Sequence, residues 1–289
     1  MSATLLMGKP IADKITEEIK SSIADIKTKY NITPKLASIL VGDDPASKSY
    51  AGRQGKSAVA AGIDYQLHEM PGDTDQEKLL NFIDALNNDD SVNGIIVQMP
   101  LPKGIDERLI QNAITLKKDV EGITPANLGL ILYERPVLCP CTALSAVRLI
   151  ESTGENVYGK DLTVVGRSAI VGKPVALLML QRKYSCTVTV CHTGTEKSGK
   201  LPKHVANADI VIAAAGSPSL VKGEWIKDGA IVIDVGFNWV DGKTVGDVEF
   251  EVAKEKASYI TPVPGGVGPL TVAILLQNTV EATKWQLEK

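Results

Sequence analysis

Gly166, Ser168 and Gly172 close the β-rich run Leu162 to Val165 and open a stretch in which Val175, Leu178 and Met179 recur at helical spacing. Strand, glycine turn and helix, in that order, put bare backbone and unpaired helix N–H groups where a pyrophosphate can approach. The spacing G-x-S-x-x-x-G meets half of the generic dinucleotide fingerprint, and an ordinary tight strand-to-helix turn has the same local pattern. Arg167, inside the turn, is suited to pair a ribose 2′-phosphate bidentately, with Thr193 donating a hydroxyl; a surface arginine at a helix C-terminus is the other reading. The run ending Val190-Cys-His-Thr-Gly194 carries no carboxylate at its tip, where NAD enzymes usually receive the ribose hydroxyls, and Glu196 comes too late. NADP is therefore expected, with NAD as the alternative. Gln98 directly follows the apolar run Gly94 to Val97, so it either faces a ligand at the carboxyl end of a strand or bonds loop backbone.

These residues need an α/β frame. Ile11, Ile15, Ile19, Ile23 and Ile26 make a helical stripe between Gly8 and Tyr30. Lys35 to Val41, Asp64 to Met70 and Gly94 to Val97 read as strands. Helices from Ser47 to about Ala61 and from Asp75 to Leu86 separate them, a β-α-β-α-β order that requires a parallel sheet. A Pro- and Gly-rich passage from Lys117 to Thr142 places the domain crossing near Cys139. Beyond it come a helix from Thr142 to Ser152, the glycine-turn strand, three short β-rich runs (Thr187 to Val190, Asp209 to Ala213, Ala230 to Val235) and a helical tail from Pro269 to Leu287. The second half is Rossmann-like.

At 289 residues the chain has room for about two domains. With 44% apolar residues, 22% charged residues and net charge -3, neither disorder nor a nucleic-acid surface is indicated. The four cysteines (Cys139, Cys141, Cys186, Cys191) form no C-x-x-C pair, and with His192 they fit no common zinc spacing, so no metal is expected. Met1 to Lys20 is charged and amphipathic without a signal-peptide core, and the apolar runs are too short for a bilayer. A soluble, reducing, cytosolic setting is the expectation.

Gly166-Arg-Ser-Ala-Ile-Val-Gly-Lys-Pro174, Val188-Thr-Val-Cys-His192, Gly223-Glu-Trp-Ile-Lys227, Asp234-Val-Gly236, Gly246-Asp-Val248 and Thr261-Pro-Val-Pro-Gly-Gly-Val-Gly-Pro269 closely resemble the methylenetetrahydrofolate dehydrogenase/cyclohydrolase family. So do Tyr50, Val97-Gln-Met-Pro-Leu-Pro102 and Lys118-Asp-Val120, and the likeness runs in order over nearly the whole chain. The resemblance implies an N-terminal α/β folate-binding catalytic domain (1–138) completed by a C-terminal helix (269–289), and a Rossmann-like NAD(P) domain (139–268). It also implies a folate cleft between the domains and a homodimer formed through the dinucleotide domains. The implied chemistry is hydride transfer from 5,10-methylenetetrahydrofolate to NADP, then, in many members, addition of water to give 10-formyltetrahydrofolate. Tyr50 would orient the folate, Gln98 and the acid at 121 would hold the pterin, and the turn at Pro264, Gly265 and Gly266 would border the substrate.

Three departures qualify this. Gln54 stands where the family has a lysine, one helical turn after Tyr50 and on the same helix face, whereas Lys56 lies about 240° away from Tyr50. A glutamine forms hydrogen bonds but does not titrate, and acid-base help is typically worth ~10²–10⁴-fold, so weak or absent cyclohydrolase activity is expected. Full bifunctionality is the alternative, and a non-catalytic folate- and nucleotide-binding protein is the third reading. Glu121 replaces the family aspartate, keeping charge with one more methylene, and Ala143 and Ser145 replace the proline and glycine after Thr142. Gly52 and Gly55 weaken the helix that carries Tyr50 and Gln54 by about 1 kcal/mol each, through either ligand approach or simple tolerance. Lys117 and Lys118 read as solvated loop charges or as contacts for a glutamate tail.

Overall fold

β1 (Thr4–Leu5) and α1 (Gly8–Tyr30) open the chain in a computed structural model that describes residues 2–288. The chain folds as two units, one of Asp13–Cys139 with the chain from Val272 on, the other of Pro140–Thr271 with the residues up to Ala12.

In the first unit β2 (Lys35–Val41), α2 (Pro45–Ala61), β3 (Asp64–Met70), α3 (Gln76–Asn87) and β4 (Gly94–Val97) build a parallel sheet of order β3-β2-β4. β2 is buried from Leu36 to Val41, as befits a central strand with both faces covered. Ile15, Ile19, Ile23 and Ile26 of α1 are buried, as their stripe requires. α2 starts at Pro45 rather than Ser47 because Asp44 is its cap: the Asp44 carboxylate accepts the Ser47 N–H at 2.8 Å, and proline suits the first helical position. The Ser47 hydroxyl donates to Met99 O at 2.9 Å, tying the start of α2 to the loop after β4. α4 (Glu107–Asn112) and α5 (Pro125–Leu132) follow.

The second unit runs through α6 (Cys141–Glu151), β5 (Asp161–Val165), α7 (Gly172–Leu180), β6 (Thr187–Cys191), α8 (Thr193–Lys197), α9 (Leu201–Ala206), β7 (Ile210–Ala213) and β8 (Ile231–Asp234). The hairpin β9 (Asn238–Val240) and β10 (Lys243–Val245), α10 (Phe250–Ala253), β11 (Tyr259–Ile260) and α11 (Val267–Leu287) complete the chain. Six parallel strands lie in the order β1-β11-β8-β7-β5-β6. β5, flanked by β6 on one side and β7 on the other, is where successive crossovers reverse direction, and in open α/β sheets the ligand crevice lies at the carboxyl ends of strands there. The fold is α/β with a Rossmann-like second sheet. α6 starts without a side-chain cap, and the Ser145 hydroxyl donates to Cys141 O at 2.7 Å. Among the described residues no helix is long and apolar enough to cross a membrane.

Candidate functional site

Gln54 on α2 is fully buried, while Tyr50 is half-buried and Lys56 exposed. The i, i+4 spacing thus turns position 54 inward. The Gln98 N–H donates to Ile39 O at 2.8 Å, which extends the β2-β4 ladder by one residue and sets its side chain under α2. Its side-chain Nε2 reaches side chains rather than loop backbone, donating to Ser38 Oγ at 2.9 Å and to Gln54 Oε1 at 3.1 Å. Tyr65 on β3, which sequence reasoning passed over, brings its hydroxyl to Ala51 O at 3.1 Å and to Gln54 Oε1 at 3.4 Å. Burial raises the Tyr65 phenol, which keeps it neutral and a donor. The one signal for Tyr65 in the sequence was a tyrosine in a mostly polar run, Asp64 to Met70, following a helix with two glycines.

Glu121 lies beside Asp119 in the segment that runs along β4, where Ile95 pairs with Asp119. Although the residue keeps partial exposure, its carboxyl is desolvated and faces the Asp119 charge, and is pushed up to about 8. Asp119 accepts from the Thr124 N–H and Asn127 Nδ2, both at 2.8 Å. Among the described residues Glu121 makes no hydrogen bond to Gln54 or Gln98, so the structure groups it with Asp119 rather than with the glutamine pair. Neither Lys118 nor Lys117 is a solvated loop charge. The buried Lys118 ammonium donates to Leu86 O, Asn87 O and Asp89 O at 2.8–2.9 Å, where a helix end leaves carbonyls unpaired. Lys117 donates to Trp285 O at 2.8 Å.

In the other unit, Gly166 has φ +133°, and a Cβ there would stand 2.1 Å from Ala214 O. Only glycine lets the turn after β5 lie against the loop after β7. Ser168 Oγ accepts the Val171 and Gly172 N–H groups at 3.1 and 3.3 Å and shapes the entry to α7. Arg167 and Thr193 are exposed beside this turn and at the tip of β6 respectively. His192 Nδ1 accepts the Gly194 N–H at 3.0 Å. Among the described residues the tip from Val190 to Gly194 carries no carboxylate, and Glu196 lies in the turn of α8 that follows it.

The loop after β7 is held by two buried aspartates. Asp247 Oδ2 accepts from Ala215 and Gly216 N–H at 2.6 and 2.8 Å, and Oδ1 from Ser217 N–H and Asn238 Nδ2, both at 2.9 Å. Asp234 in turn accepts from the Asp247, Gly236 and Val248 N–H groups, each at 2.9 Å, and desolvation pushes its carboxyl up to about 6. These bonds account for the motifs Asp234-Val-Gly236 and Gly246-Asp-Val248. The turn at Pro264, Gly265 and Gly266 belongs to this same unit, where Gly265 O accepts the Gly8 N–H and Pro262 O the Gly266 N–H, both at 2.9 Å.

Residues 6–121 match the catalytic-domain model of tetrahydrofolate dehydrogenase/cyclohydrolase, and residues 140–287 match its NAD(P)-binding-domain model. The bifunctional protein FolD 2 of Geobacter sulfurreducens is 47% identical over 283 residues, 98% of this chain and 97% of its own. The bifunctional FolD methylenetetrahydrofolate dehydrogenase/cyclohydrolase of Campylobacter jejuni superposes with a TM-score of 0.93 at 43% identity, covering 99% of this chain and all of its own. A Trypanosoma brucei methylenetetrahydrofolate dehydrogenase-cyclohydrolase, in complex with NADP cofactor and an inhibitor, also has a TM-score of 0.93, at 38% identity with both chains fully covered. With both halves matched in order and full-length relatives at this identity, the chain belongs to the tetrahydrofolate dehydrogenase/cyclohydrolase family.

Proposed function

We propose that this chain is an enzyme that oxidises 5,10-methylenetetrahydrofolate to the 5,10-methenyl form with NADP, and that it hydrolyses the methenyl form to 10-formyltetrahydrofolate. The carrying observation is the match of both halves to this family, with relatives named for both activities. The residues present fit the cofactor: a glycine turn that a Cβ would fill, an exposed arginine in it for a 2′-phosphate, and no acid at the tip of β6. Gly166, Arg167, Ser168, Gly172 and Thr193 would hold it. When bound, NADP supplies the hydride acceptor.

The lone pairs of N5 and N10 stabilise the cation left at the one-carbon unit, so the chain's part in the first step is to position the substrate. Tyr50, Gln54 and Gln98 would orient the pterin, with Glu121 and the turn at Pro264, Gly265 and Gly266 as further contacts. A neutral amide at 54 sets no positive charge against the cation. In the second step water adds to the methenyl carbon and gives up a proton; as the bond from that carbon to N5 breaks, N5 takes a proton and the new hydroxyl loses its own to become the formyl carbonyl on N10, so that one net proton is released. Gln54 and Tyr65 can hold such a water but do not take its proton at neutral pH.

That chemistry favours a second reading, a dehydrogenase with weak or absent cyclohydrolase activity. The names of the relatives favour the bifunctional one. A spectroscopic time course with methylenetetrahydrofolate and NADP, reading reduced cofactor and methenyl product separately, decides between them. Enzyme-dependent loss of methenyl product supports bifunctionality; persistent methenyl product supports the second reading; no reduction with either NADP or NAD rejects both.

A further inference from the structure

We infer that Tyr65 is a positioning residue: with Gln98 it holds the Gln54 carboxamide so that the Gln54 NH2 is the donor offered to an acceptor atom of the folate-class ligand. The inference rests on the folate reading above and deepens it. Gln54 Oε1 receives Gln98 Nε2 at 3.1 Å and the Tyr65 hydroxyl at 3.4 Å, and Gln98 is anchored in turn on Ser38 Oγ. With the carbonyl end facing two donors, turning the amide over would set its NH2 against the NH2 of Gln98. Gln54 Nε2 is buried and has no hydrogen-bond partner among the described residues. An unpaired buried amide carries a desolvation penalty, and a ligand acceptor at that point removes it.

The Tyr65 ring has its own requirement on α2. A Cβ at position 55 would lie 2.7 Å from Tyr65 Cε1, so Gly55 is the space the ring occupies, whereas a Cβ at Gly52 would meet nothing within 4 Å. Gln54, Gly55 and Tyr65 therefore form a co-adapted set: the glycine admits the ring, and the ring delivers its hydroxyl to the backbone of Ala51 and the side chain of Gln54. The hydroxyl has one proton for these two acceptors, so its share in holding Gln54 is that of one modest hydrogen bond, about 1 kcal/mol or roughly fivefold in affinity.

The test is a double-mutant cycle of Tyr65→Phe and Gln54→Met, read by calorimetric binding of tetrahydrofolate and by the KM for methylenetetrahydrofolate. Tyr65→Phe keeps the ring over Gly55 and is expected to weaken folate binding three- to tenfold, with the KM for NADP unchanged. In the Gln54→Met background the same change should have no effect, because no carboxamide remains to be held. No loss in Tyr65→Phe, which a ring acting only by its bulk predicts, or equal loss in both backgrounds, which a hydroxyl acting through Ala51 O predicts, would overturn the inference. Calorimetry needs no turnover: a wild type that binds folate without reducing NADP defeats the functional reading and leaves the coupling to decide this one, whereas a wild type that binds no folate defeats both.

Discussion

Replacing Glu121 by glutamine should make the protein more stable at alkaline pH and leave it almost unchanged in acid. The native carboxyl is pushed up to about 8 from an ordinary value of 4.5, first by burial and then by the Asp119 charge. Between those values the native chain keeps a proton that the unfolded chain has released. Stability contributed by this group is thus complete below about 4.5 and is lost as pH rises through about 8. At 1.36 kcal/mol per pH unit the whole span gives an upper limit of about 5 kcal/mol, and the partial exposure of the residue brings it to roughly 2–4 kcal/mol. Glutamine has nearly the same shape and cannot ionise. Urea denaturation followed by circular dichroism at pH 5, 7 and 9 should show wild type and Glu121→Gln close together at pH 5 and separated by about 2–4 kcal/mol in favour of the variant at pH 9. Parallel stability curves across this range would refute a proton held at Glu121.

Asp247→Asn puts an amide among backbone N–H groups that now meet a carboxylate, and should cost about 3 kcal/mol in denaturant and raise the KM for NADP more than that for folate. Arg167→Gln should raise the KM for NADP ~10–100-fold, the worth of a paired charge at the 2′-phosphate, and leave the KM for NAD unchanged; equal effects on both cofactors would place the phosphate elsewhere. Gln54→Lys should speed hydrolysis of the methenyl product relative to its formation. No gain with folate binding intact would show that position 54 does not limit that step. Gly55→Ala should lower the thermal midpoint despite alanine's better helix propensity, because the new Cβ meets the Tyr65 ring; a rise in the midpoint would argue that the ring yields.

The sequence by itself determined the strands and helices that carry a repeating pattern. β2, β4, β5, β7 and β8 are mostly apolar runs and α1 is a plain isoleucine stripe, so their limits fall within about two residues of those read from the chain. That positions 50 and 54 share one face of α2 followed from helical geometry, whereas the burial of Gln54 against Gln98 and Tyr65 did not. The two-residue strands β1 and β11 were out of reach, because so short a segment has no period and exists only through its neighbours in the sheet. Lys118 reads as a surface charge until the end of α3 and the turn after it bring three carbonyls to it. Tyr65 and Gln54 stand eleven residues apart on different elements, and the two aspartates that hold the loop after β7 are thirteen apart, across the β9-β10 hairpin. Periodicity and turn chemistry are local, and a chain declares them locally. Which polar groups meet in the interior depends on register and on the packing of helix against sheet, and only the folded chain fixes those.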